Sequence, residues 1–159
     1  MRYAMHIRAA DNKSRGFSLV EALVALVVRS IGMLGIAALH VEGLRSARTA
    51  LTRTTAVALA SDIADRIRAN RNAKTEYNTV VTSADTDAKC APKGAGCTPA
   101  ELAHHDKATW LGAIEAALPG GTGTINCDDA AVPATYTITI SWSEVGAQDP
   151  STYTLTIQA

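Results

Sequence analysis

Three cysteines, two adjacent histidines and several paired carboxylates are the side chains whose types invite chemistry. Cys90, Cys97, His104 and His105 carry the ligand types of a zinc site. Their spacing, C-x6-C-x6-H-H, matches no compact structural zinc module. Neighbouring histidines on a helix also point about 100° apart. No metal and no cofactor is expected, and the histidines read as surface residues. Asp85-x-Asp87 and Asp128-Asp129 are loop carboxylates without a partner pattern for acid–base work. Gly120-Gly121-Thr122-Gly123 follows a predicted helix instead of opening one, so it reads as a turn and not a phosphate cradle. There is no G-x-S-x-G elbow, Walker loop or metalloprotease motif, and no catalytic residue is assigned.

More telling is charge set inside an apolar run. Residues 17–41, FSLVEALVALVVRSIGMLGIAALHV, are apolar on all sides except for Glu21 and Arg29. As a helix this run is roughly 37 Å long, enough to cross a hydrocarbon core of about 30 Å. A charge at the centre of such a span costs about 2.5–3.5 kcal/mol. Glu21 would lie near the membrane edge in a chain that began at Phe17. Arg29 would lie about 18 Å along the helix from Phe17, near the midplane, where snorkelling is its simplest behaviour. Glu21 and Arg29 are about 12 Å apart along one helix, too far to pair within it. In a staggered bundle, Arg29 of one copy would approach Glu21 of another.

The leader ahead of this run is basic. Residues 1–16 hold Arg2, Arg8, Lys13 and Arg15 against Asp11. The positive-inside rule therefore puts the N-terminus in the cytoplasm and the remainder on the far side. A secretory signal peptide has an apolar region of about 7–15 residues and a small-x-small cleavage site. This run is longer, and no convincing site follows it.

Arg15-Gly16-Phe17-Ser18-Leu19-Val20-Glu21 resembles the prepilin peptidase motif of type IV pilins and type II secretion pseudopilins. The resemblance implies cleavage between Gly16 and Phe17 by a prepilin peptidase and N-methylation of Phe17. It also implies that Glu21 pairs with the Phe17 amine of a neighbouring subunit during assembly. Gly16 suits the first step because a residue without Cβ leaves room at the scissile backbone. Ser30-Ile31-Gly32-Met33-Leu34-Gly35 and Arg66-Ile67-Arg68-Ala69-Asn70-Arg71 are similar to the PilV subgroup of minor pilins. So are Trp110…Leu118-Pro119-Gly120 and the alternating strand at 136–142. Arg29 departs from the pattern, standing where the family usually carries an aliphatic residue. The implied partners are the prepilin peptidase, other minor and major pilins and an inner-membrane assembly platform, with no small-molecule substrate. The implied location is the inner membrane, single-pass with the head in the periplasm, and then the pilus. A minor pseudopilin shares the same N-terminal chemistry. A tip adhesin or DNA-binding subunit is a further reading, with DNA or a host receptor as partner. The chain reads as the substrate of an enzyme, not as an enzyme.

These residues must be positioned by a chain of 159 residues, room for one compact domain and a long helix. Apolar residues make up 47% and aromatics 4%, so the core must be aliphatic and the chain is not disordered by composition. Fifteen basic and fifteen acidic residues balance, which argues against global nucleic-acid binding. The balance is uneven: the leader is +3, residues 17–41 neutral, residues 42–74 +4 and residues 75–159 −7.

Apolar spacing predicts one helix over about 18–70. Its part beyond 41 packs on a head, with Arg45, Arg48 and Arg53 on polar faces. Those arginines suit phosphate, in headgroups or DNA, or are simply solvated. Residues 72–97 read as a loop. Thr98-Pro99-Ala100-Glu101 is a capping box that opens a helix over 99–118. Leu102, Trp110, Ile114 and Leu118 are expected on its buried face. A short strand at 124–127 and two alternating strands around 136–142 and 153–157 follow, the last two as an antiparallel hairpin. The expected class is α+β and pilin-like: a long N-terminal helix packed on a small antiparallel sheet. Its divisions are a leader (1–16), the apolar half-helix (17–41), the second half-helix (42–71) and a head (72–159).

The three cysteines, Cys90, Cys97 and Cys127, fall in the head, and an oxidising compartment permits disulfides. They cannot all pair within one chain. Cys90–Cys97 would staple the loop, which has little core of its own; Cys97–Cys127 would tie the helix start to the sheet.

Overall fold

The computed structural model describes residues 16–91 and 94–159. Residues 1–15 of the leader, with its basic charges, lie outside the described residues. Helix α1 runs Leu19–Ala69 over 51 residues. The chain divides into two compact units, one ending at Leu44 and one running Arg45–Ala159.

Within the first unit the helix is apolar and exposed on every side. Large side chains from Leu19 to Leu44 face outward, Phe17 at 74% exposure. The span is long and apolar enough to cross a membrane by length and composition. Ser30 turns its hydroxyl back to the Leu26 carbonyl at 2.7 Å, which satisfies that donor inside the helix.

In the second unit α1 buries a stripe: Ala56, Ala60, Ile63, Ala64 and Ile67. The spacing of three and four is that of one helix face. Arg66 and Arg68 complement the dipole in the last turn. The helix then gives way to a 3₁₀ segment, Arg71–Asn78, kinked at Lys74, whose φ is 43°. Ala73 and Tyr77 of this segment are buried, and a second 3₁₀ turn covers Ala88–Cys90. The loop expected over 72–97 thus contains ordered turns.

Helix α2, Pro99–Ala117, opens on the expected capping box. The Thr98 amide donates to Glu101 Oε2 at 2.8 Å, and the Glu101 amide donates to Thr98 Oγ1 at 3.3 Å. Its buried face departs from expectation. Leu102 lies at the margin, and Ala103, Asp106 and Lys107 join Trp110 and Ile114 inside. Steps of three and four from Trp110 lead back to Lys107 and Ala103, whatever their polarity.

Strands β1 (Thr122–Asp128), β2 (Thr135–Trp142) and β3 (Ser151–Gln158) form an antiparallel meander. β1 begins two residues earlier than expected, because Thr122 and Gly123 pair with Ser141 and Ile140. Ile125, Ile138 and Leu155 stand in one row, and Cys127, Tyr136 and Ile157 in the next. These residues share one core with the α1 stripe, Tyr77, Trp110 and Ile114. The opposite face is almost wholly threonine, serine and asparagine, as period two requires of a solvated face. Gly123 lets β1 meet α2: a Cβ there would lie 2.6 Å from the Trp110 ring.

Candidate functional site

Gly16, Phe17 and Glu21 are exposed among the described residues. Gly16 and Phe17 precede the first helical turn, and among the described residues nothing lies within 4 Å of where a Gly16 Cβ would stand. Glu21 falls in the first turn of α1, which favours a carboxylate electrostatically. Glu21 and Arg29 are exposed and make no ion pair among the described residues. The structure does not bring the two together within one chain, as their eight-residue spacing requires.

The Arg66–Arg71 stretch ties α1 to α2. The Arg66 guanidinium donates to Asp62 and to Asp106, each at 3.0 Å. The Asn70 amide donates to the Pro99 carbonyl at 2.8 Å, and Arg68 pairs with Asp65. Trp110 adds a bond from its indole N–H to the Leu59 carbonyl of α1 at 2.9 Å. Lys107, only 6% exposed, donates from Nζ to the carbonyls of Tyr77 (2.9 Å) and Thr79 (2.7 Å). Burial pulls its pKa below the usual lysine range. Sequence reasoning missed Lys107 as an anchor, since a lone lysine on a helix reads as solvated; the available signal was its place in the Trp110 register. Asn78 grips the sheet, accepting from the Cys127 amide at 2.6 Å and donating to its carbonyl at 3.2 Å.

Cys90 and Cys97 are joined in a disulfide with Cα atoms 5.3 Å apart. Cys127 is free and buried on the inner face of β1. Burial pushes its thiol up, and burial with the adjacent Cys127 pushes the Tyr136 phenol up to about 12. His105 Nδ1 accepts from the Asp87 amide at 3.0 Å, and His104 faces Glu76 at 3.3 Å. Among the described residues no group of three or more His, Cys, Asp or Glu is placed to hold a metal ion. Lys89, beside the disulfide, reaches Glu101 at 3.1 Å. The Thr98 amide first, and Lys89 next, pull the Glu101 carboxyl down to about 2.

A cavity of about 450 Å³ opens between the start of the second unit's helix and the β2–β3 loop. Arg45, Arg48, Thr49 and Thr52 form its helix wall; Pro119, Ser143 and Val145 face them. Glu144, also at its rim, is engaged by Arg53 at 3.6 Å and by the Trp142 indole N–H at 3.2 Å.

Residues 11–37 match the prokaryotic N-terminal methylation motif. Residues 38–108 match a family model described as Tt1218-like, type IV pilin Tt1218. The long helix, the small antiparallel sheet and both matches point the same way, to a similarity with type IV pilins, a class of structural pilus subunits. Within that class the similarity over 38–108 is to the Tt1218 type. No curated protein and no solved structure matches the chain.

Proposed function

We propose that this chain is a minor, PilV-like type IV pilin. A prepilin peptidase cuts it between Gly16 and Phe17, and Phe17 is methylated. The subunit waits in the inner membrane with its head in the periplasm. It then enters the pilus or the complex that initiates it, in service of twitching, adhesion or DNA uptake. The observation that carries this reading is the methylation-motif match over 11–37, set on an exposed apolar half-helix.

In the membrane the Glu21 carboxylate is costly until a cation neutralises it. The new Phe17 amine of an adjacent subunit is such a cation. A one-turn slip leaves both charges unpaired, so the pair sets register as well as attraction.

Mass spectrometry of the N-terminal peptide from membrane and sheared-pilus fractions tests the reading. A peptide beginning at N-methylated Phe17 in both fractions is expected. An intact Met1, or a cut beyond residue 35, would sink it. Processed protein absent from pili, with secretion lost on deletion, would assign the chain to the pseudopilins instead.

A further inference from the structure

We propose that the cavity beside Arg45 and Arg48 holds the headgroup of an anionic phospholipid. The proposal rests on the membrane-anchored reading above and adds a ligand to it. By sequence separation, Arg45 and Arg48 lie four and seven residues beyond Val41, where the apolar run ends. At helical rise that is about 6 and 10 Å; a headgroup layer of roughly 5–8 Å outside the hydrocarbon core takes in the Arg45 position and leaves Arg48 just past its outer edge, within side-chain reach. The cavity, about 450 Å³, is of a size for a glycerophosphate group.

Its chemistry is matched to a phosphodiester. Two arginines, Arg45 and Arg48, line one wall, and arginine is the side chain best suited to phosphate oxygens. Thr49 and Ser143 add hydroxyls, the Thr52 hydroxyl being spent on the Thr49 carbonyl at 3.0 Å, while Pro119 and Val145 offer apolar surface for the glycerol carbons. Glu144, the carboxylate among the lining residues, is already held by Arg53 and Trp142, which blunts its repulsion of an anion. The rest of the head is acidic, residues 75–159 carrying ten acidic against three basic side chains. An anionic leaflet therefore repels the head elsewhere and attracts it here, and the same contact would orient the subunit before assembly.

The test uses the full chain in detergent micelles and native mass spectrometry of the lipid it retains. Micelles are doped with phosphatidylglycerol or phosphatidylcholine in separate samples. Wild-type protein is expected to retain phosphatidylglycerol and not phosphatidylcholine. Arg45→Gln/Arg48→Gln is expected to retain about tenfold less, with an unchanged urea midpoint. Equal retention by the double variant, or equal retention of both lipids, would overturn the proposal. So would displacement by millimolar glycerol phosphate, which would mark a site for soluble anions. Loss of duplex DNA binding in the double variant, with lipid retention intact, would give the arginines to DNA instead. The N-terminal mass of the same samples reports processing separately. Methylated Phe17 with variant-insensitive lipid retention defeats only the cavity; unprocessed protein with variant-sensitive retention defeats only the processing.

Discussion

At the scale of single residues, Trp110 does the most. It is 1% exposed, fills the space left by Gly123 and bonds the α1 backbone at Leu59. Trp110→Ala opens a large void and removes the indole donor, so we expect a loss of about 3–5 kcal/mol in urea unfolding. The sequence marks this tryptophan as core, but not its link to Gly123, because that contact joins a helix to a strand thirteen residues away. Lys107 is harder still to read. Its charge argues for solvent, and only the carbonyls of Tyr77 and Thr79 explain its burial. The cysteines carry a second expectation. A peptide map without reductant should show Cys90 linked to Cys97 and one thiol, Cys127, that alkylates only after unfolding. Closing so short a loop is worth about 2.5 kcal/mol by chain entropy, so Cys90→Ser/Cys97→Ser should lose up to that amount. A map that links Cys97 to Cys127 would reverse the assignment.

Among the elements, those with a strong local period were legible and those held by distant partners were not. The capping box at Thr98 and the alternation of β2 and β3 stand in the residues themselves. The 3₁₀ segment Arg71–Asn78 has no such signature. It is fixed by Lys107 from α2 and by Asn78 on Cys127, bonds that cross 28 to 49 positions of sequence. The start of α2 has a pH dependence of known sign. Glu101 has a folded pKa of about 2, below its usual 4.5. Its stabilisation is therefore complete above about pH 4.5 and is lost as pH falls toward 2. A carbon-detected NMR titration should place the Glu101 midpoint near 2, and Thr98→Val should move it upward. A midpoint near 4.5 in the wild type would mean that the capping box is not formed.

On the scale of the whole molecule, the sequence divides labour more clearly than it describes contacts. The apolar run, its two charges and the basic leader were readable because bilayer energetics act on composition and length. How Glu21 and Arg29 find partners was not, since neither has one among the described residues of a single chain. If Arg29 meets Glu21 of another subunit, Arg29→Leu should lower co-purification with partner pilins severalfold while membrane insertion holds or improves. Unchanged or stronger complexes would dismiss that pairing and leave Arg29 a snorkelling side chain. The cavity behind Arg45 and Arg48 was legible only as a basic stretch; its opposite wall comes from a loop about a hundred residues later.

Both tryptophans of the chain, Trp110 and Trp142, are buried, at 1% and 2% exposure, and both belong to the unit Arg45–Ala159. Residues 17–41 contain no chromophore that absorbs at 295 nm. Intrinsic emission is therefore a local instrument: it shifts red when the head unfolds and is silent on whether the apolar half-helix sits in detergent, lipid or a filament. One optical signal can thus follow the head's integrity without being confounded by whatever solvent surrounds the helix.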